Sequence, residues 1–84
     1  MYEIKFSKKA EKAYGKLPID VKLRIDQKLN YLRSTPRGAD TKKLVGELNV
    51  YRTRVGTYRI VYEIEDGKLL IWILDVGHRS SIYR

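Results

Sequence analysis

The sequence predicts an α+β domain: an N-terminal strand, then a hairpin of two helices, then a three-strand antiparallel meander. Three observations carry this prediction. Apolar residues recur at helical spacing between residues 6 and 32, then switch to strict alternation after residue 49. Two short turn signals, Gly56-Thr57 and Asp66-Gly67, punctuate the alternating part. The 84 residues are enough for one hydrophobic core and too few for two, so residues 1–84 are read as one domain.

Tyr2, Ile4 and Phe6 alternate with Glu3 and Lys5, which predicts a short strand. Ser7 stands where a helix N-cap belongs, and Phe6, Ala10, Ala13, Tyr14 and Leu17 follow at helical spacing. Leu17-Pro18 breaks this first helix, because the residue before proline avoids the α region. Pro18 then opens a second helix whose apolar stripe is Val21, Ile25, Leu29 and Leu32. Residues 34–38 end it. Neither helix is long enough to be stable alone, so both must dock on apolar surface. Residues 38–49 read as a loop anchored by Leu44 and Leu48. Strands are predicted at residues 50–55, 58–65 and 68–76, and the N-terminal strand must join their sheet to satisfy its backbone groups.

Composition narrows the chemistry. There is no cysteine, which excludes a disulfide scaffold, a zinc ribbon and thiol catalysis, and a single histidine argues against a protein-built zinc site. No apolar stretch is long enough for a signal peptide or membrane span, so an intracellular, cytoplasmic protein with no membrane partner is expected. Eighteen Lys and Arg against ten Asp and Glu give a net charge of +8, a field that attracts polyanions. The excess is unevenly built. Residues 1–50 hold twelve basic and six acidic groups, whereas 51–84 hold six and four, five of those six being arginine. Lysine suits diffuse attraction to phosphate, and arginine suits oriented, bidentate contacts.

A two-residue turn at Gly56-Thr57 places Val55 opposite Tyr58, Arg54 opposite Arg59 and Arg52 opposite Val61. Tyr51, Thr53, Val55, Tyr58, Ile60, Tyr62 and Ile64 then share an apolar face, joined across the next turn by Leu69, Ile71 and Ile73. Arg52, Arg54 and Arg59 share the other face. Like charges opposed on a sheet are destabilising, so the cluster calls for a reason. One reading lays the arginine stems flat on Val61, Leu70, Trp72 and Leu74, with the charged heads in water. The other makes the face an anion site, with exposed apolar residues such as Trp72 available to a partner helix or a stacked base. Gly77 permits a bend that would return His78 and Arg79 to this face.

Taken together, Leu44-Val45-Gly46, the run from Tyr51 to Tyr62 (YRTRVGTYRIVY) and Val76-Gly77-His78-Arg79 with Tyr83 resemble the RelE/ParE superfamily of toxin–antitoxin toxins. The closing VGHRSSIY is more similar to the RelE branch than to the gyrase-directed ParE branch. The resemblance spans nearly the whole chain, with the arginine-rich run its most specific part. It implies a β-α-α-β-β-β fold, RelE-like, and a ribosome-dependent mRNA endonuclease (an mRNA interferase) that inhibits translation by cutting A-site codons without a metal or other cofactor. The 2′-hydroxyl would attack the adjacent phosphate, leaving a 2′,3′-cyclic phosphate and a free 5′-hydroxyl. By position, Arg59 and Arg79 match the family's transition-state arginines, Arg52 and Arg54 its paired basic residues, and Tyr83 its C-terminal tyrosine. Where some members have lysine at the paired positions this chain has arginine, which is not deprotonated in proteins. The general base is then His78 or Tyr83. By the same resemblance, the C-terminal helix of longer members is expected to be absent here.

Under the same resemblance, Lys8, Lys9, Lys12, Lys16, Lys22, Lys42 and Lys43 are candidates for holding ribosomal RNA phosphates. The partners implied are ribosome, message and an acidic, RelB-like antitoxin, with a toxin–antitoxin heterotetramer among the assemblies allowed. Two alternatives keep the fold: a ParE-like inhibitor of DNA gyrase that cuts nothing, and an inactive relic that only binds its antitoxin.

Overall fold

A computed structural model describes residues 1–78. In chain order the elements are β1 (Glu3–Phe6), α1 (Lys8–Gly15), α2 (Ile19–Ser34), β2 (Lys42–Lys43), β3 (Val50–Val55), β4 (Tyr58–Glu65) and β5 (Leu70–His78). They form one sheet in the order β1-β5-β4-β3-β2. The β3-β4-β5 meander is antiparallel, and β1 lies parallel to β5, a pairing that requires the helical crossover between them. The predicted α+β order is therefore observed, with two-residue β2 added inside the segment expected to be loop.

Ser7 connects sequence to packing at the first helix. Its Oγ accepts the N–H of Ala10 at 3.1 Å, as an N-cap should, and donates to the Leu74 carbonyl at 3.2 Å, while its own N–H reaches the Ile73 carbonyl. β1 pairs only with residues 70–73 of β5, so the first turn of α1 closes the edge that β1 leaves open. Ala10 is fully buried there. The α2 stripe of Val21, Ile25, Leu29 and Leu32 is buried as predicted, against Ile60, Tyr62, Ile64, Ile71, Ile73 and Val76 of the sheet.

The β3–β4 register is the one the short turn demands, pairing Arg54 with Arg59, Arg52 with Val61 and Val55 with Tyr58. Gly56 takes φ +60°, the left-handed region that a two-residue hairpin of this kind needs at its first position. The second hairpin differs from expectation. Asp66–Lys68 form a single 3-10 turn and Leu69 adopts φ 50°, so Glu65 pairs with Leu70 instead of Lys68. Leu69 is exposed as a result, not part of the apolar face. Leu48 is also exposed, so it anchors nothing, whereas Leu44 is half-buried.

Strand β5 departs from simple alternation. Val61 pairs with Asp75 and Tyr62 with Ile73, leaving Leu74 as a bulge without an opposite residue. Continued alternation from Ile71 and Ile73 would turn Asp75 into the core. The bulge turns Val76 inward instead, where it is 2% exposed, and keeps Asp75 on the far face. Burying an isolated carboxylate would cost far more than one lost ladder position.

A polar clasp holds the segment between α2 and β2. Arg37 donates through Nη1 and Nη2 to both oxygens of Asp66 at 3.2 and 2.8 Å, and through Nε to the Tyr51 hydroxyl at 3.1 Å. Tyr2 donates to the same carboxylate at 2.6 Å. From inside the core, the Tyr62 hydroxyl donates to the Pro36 carbonyl at 2.7 Å and lies 2.8 Å from Thr41 Oγ1. These contacts deliver the chain to β2. Bonds from Arg37 and then Tyr2 hold the Asp66 carboxyl below its ordinary pKa. A carboxyl with a lower pKa in the folded state contributes stability above its unfolded value of about 4, and that contribution disappears as pH falls through the folded value. Asp66→Asn is therefore expected to lower the melting temperature at pH 7. The gap from the parent chain should close as pH drops below about 4; a gap independent of pH would mean the clasp contributes through shape alone.

Candidate functional site

On the sheet face turned away from the helices, β3 contributes Arg52 and Arg54 and β4 contributes Arg59. Arg59 is flanked by Arg54 on one side and by Gly77, which brings no side chain, on the other. Strand β2 adds Lys42 directly beside Arg52. Arg52, Arg59 and Lys42 line a groove of about 640 Å³ whose walls are Lys42, Lys43 and the following loop on one side and Lys9 and Asp75 on the other. Val61 and Leu74 lie in its lining. A smaller hollow of about 230 Å³ adjoins it, lined by Arg52, Arg54, Arg59, Lys42, Thr53, Ala39 and Asp40. Arg59 is half-buried, with its Nε and Nη1 closed off from solvent, whereas Arg54 is exposed.

Two acids temper this charge. Glu47 lines the groove, and Asp75 holds Lys9 Nζ at 3.2 Å. Neither was singled out from the sequence. Asp75 reaches the groove only because of the Leu74 bulge, and Glu47 because Gly46, at φ +82°, turns the loop after β2. A Lys-Lys pair followed by Leu-Val-Gly is the only local trace of that wall.

The candidates named from the sequence fall into groups. Arg52, Arg59, Lys9, Lys42 and Lys43 meet in the groove, and Arg54 meets Arg52 and Arg59 in the adjoining hollow. Lys8 and Lys12 of α1 and Lys16 at its C-cap are exposed outside it, and Lys22 of α2 sits 5.7 Å from the ring centre of Tyr14. The bend expected at Gly77 does not form: β5 runs on through His78, with Gly77 paired to Arg59. His78 therefore pairs with Tyr58 on the helix-facing side, ring edge to ring face with centroids 5.6 Å apart, away from the arginines. Arg79 and Tyr83 lie outside the described residues. Trp72 shares the arginine face but not the groove. It is half-buried, its indole N–H donates to Glu65 at 2.9 Å, and Lys5 lies 6.0 Å from its ring centre.

Chemically, charged donors fixed on adjacent strands suit a phosphate or another multiply charged anion. A helical hairpin on one face of a mixed sheet and a cationic groove on the other define a small α+β domain of a recognisable class. Comparison with known proteins specifies which one. Residues 4–83 match the family described as the ParE toxin of the type II toxin–antitoxin system, parDE. The mRNA interferase toxin RelE of Escherichia coli is 30% identical over 86 aligned positions, covering 98% of this chain and 90% of that protein. The toxin–antitoxin complex RelBE of E. coli contains a chain that superposes with a TM-score of 0.83 at 30% identity, covering 93% of this chain and 96% of that one. A chain of the archaeal RelE–RelB complex from Pyrococcus horikoshii superposes with a TM-score of 0.78 at 28% identity, covering 93% and 94%. The chain belongs to the RelE/ParE superfamily of toxin–antitoxin toxins, in its RelE-like branch.

Opposed arginines carry a stability cost that can be measured. Arg54→Thr is expected to raise the free energy of unfolding by about 0.2–1 kcal/mol in low salt, since it removes a like-charge pair. The gain should fade near 1 M salt, where the screening length is about 3 Å. A loss of stability in low salt would show that Arg54 is held by favourable contacts.

Proposed function

We propose that this protein is a ribosome-dependent endoribonuclease toxin that cleaves message in the decoding site by metal-independent 2′-hydroxyl attack. The observation that carries the proposal is the meeting of Arg52, Arg59, Lys42 and Lys43 around one groove. Membership in the RelE-like branch, with a curated relative named as an mRNA interferase, supplies the reaction class. In the reaction, a bond forms between the 2′ oxygen and phosphorus, and the bond from phosphorus to the 5′ oxygen breaks. The 2′ proton leaves to a base, and the departing 5′ oxygen takes up a proton. The phosphorane-like transition state carries more negative charge than the substrate, and guanidiniums fixed in advance stabilise that excess without reorganising.

Arg59 and Arg79 take the transition-state role. Arg52 and Arg54 hold the flanking phosphates, and Tyr83 stacks on a base and handles the proton. Of the two candidates for the base, Tyr83 is preferred, because His78 faces Tyr58 on the opposite side of the sheet. The lysines of α1, Lys22, Lys42 and Lys43 supply salt-sensitive attraction to ribosomal RNA. The proposed partner is an acidic, RelB-like antitoxin, in keeping with the RelE–RelB complexes among the similar structures. Because the matching family carries the ParE description, inhibition of DNA gyrase is the second reading.

Cell-free translation followed by primer extension on the message separates them. Cleavage within codons of stalled ribosomes is expected, and Arg59→Ala should slow it roughly 10²- to 10³-fold, as loss of one oxyanion-type donor does. Intact codons together with inhibited supercoiling would replace this reading with the gyrase one.

A further inference from the structure

The basic surface does not end at the groove. The adjoining hollow shares Lys42, Arg52 and Arg59 with the groove on one side. On the other side it shares Ala39, Asp40 and Arg54 with a third concavity of about 380 Å³ against α2, lined also by Arg24, Gln27, Lys28 and Tyr31. The three form one trough that leaves the sheet face near Arg54 and reaches the exposed side of α2. Arg24 extends far enough that its Nη1 would lie 3.3 Å from a Cβ on Gly56, so the helix cation stands beside the β3–β4 turn. Tyr31 is 45% exposed and packs against Gly38, where any side chain would collide with its ring. Lys28 lies 5.2 Å from the Tyr31 ring centre. Asp40, at the junction, is the one acid lining this extension, and it holds Lys28 Nζ at 3.5 Å.

We infer that the α2 concavity is a second RNA site, where Arg54, Arg24 and Lys28 hold successive phosphates of a single strand leaving the groove and Asp40 competes for Lys28. This rests on the endoribonuclease reading for the direction of the strand. Tracks for single strands combine a line of cations with an aromatic face on which a base stacks, and Tyr31 provides that face beside the cations. An acidic peptide would use the cations but gain nothing from the stacking surface. Asp40 is exposed and its partner lysine is largely covered, so an arriving phosphate can take the lysine while the carboxylate swings into water.

The test measures binding without the ribosome, so its outcome is independent of cleavage. A fluorescent, 2′-O-methylated oligoribonucleotide long enough to span all three hollows is titrated by anisotropy across a salt series, beside a dinucleotide of the same chemistry. Arg24→Ala/Lys28→Ala should reduce the slope of log K against log salt by about 1.4 for the long strand, at about 0.7 per phosphate contact, and leave the dinucleotide unchanged. The charge-matched Lys5→Ala/Lys68→Ala variant should leave both slopes unchanged. Asp40→Asn, a surface change, should tighten the long strand only. An unchanged slope in the double variant, equal losses for both RNAs, or weaker binding by Asp40→Asn would overturn the inference. Loss of poly-glutamate binding with RNA binding intact would also overturn it, assigning the concavity to an acidic protein. Cleavage by the parent chain in translation with an unchanged slope would reject the track and keep the nuclease; the reverse pattern would keep the track alone.

Discussion

A slip of one residue in the pairing of β3 with β4 would turn one strand over relative to the other: either Arg52 and Arg54 of β3 would enter the core, or Arg59 of β4 would do so while Ile60, Tyr62 and Ile64 became exposed. In either case at least one guanidinium would lose its hydration and one strand would lose its apolar contact with α2, so the slipped register is not a competing state. The short turn at Gly56-Thr57 holds the pairing from one end, and the apolar residues of α2 hold it from the other. One constraint thus builds the core and gathers the cations. This coupling places a charged cluster on a rigid sheet, where its geometry is settled before any anion arrives.

The third strand of the meander had to solve a harder problem. It must cover Ile60 and Tyr62, accept β1 on its other edge and seat the start of α1, yet it contains Asp75 among its apolar residues. The Leu74 bulge reconciles these demands by shifting the inward positions from Ile73 to Val76. The same shift brings Asp75 to the groove, where it fixes Lys9. A residue that would have been a fault in the core becomes part of the wall of the site.

What could be read from the sequence follows from the range of the interactions involved. The helix stripe, the N-cap at Ser7 and the Arg54–Arg59 pairing depend on neighbours within a turn or a hairpin, and each is legible as spacing. Strand β2 and the segment before it depend on Arg37 meeting Asp66 29 positions away, and on Tyr62 reaching Pro36 26 positions back. No local pattern announces such contacts, so this stretch reads as loop. The groove was accordingly half legible. Its arginine floor comes from the hairpin, while its far wall of Lys42, Lys43 and Glu47 comes from long-range packing. His78 shows the opposite failure. Glycine before it suggested a bend, but a glycine can also sit in a strand where the ladder is continued on both sides, and Gly77 does so beside Arg59.

A groove floored by guanidiniums has a further property, because arginine keeps its charge at every pH a protein folds in. Acidification or alkalinisation within the ordinary range cannot switch such a floor off, and strong salt only weakens its reach. What can change the field of such a floor is occupancy, a group of opposite charge that covers the cations. The clasp around Asp66 acts at the other end of the same logic. It fixes the segment that carries Lys42 and Lys43 without contributing a charge to the groove, so the position of the wall and its electrostatic strength are set by different residues. A partner of opposite charge can then neutralise the groove without loosening the scaffold that shapes it.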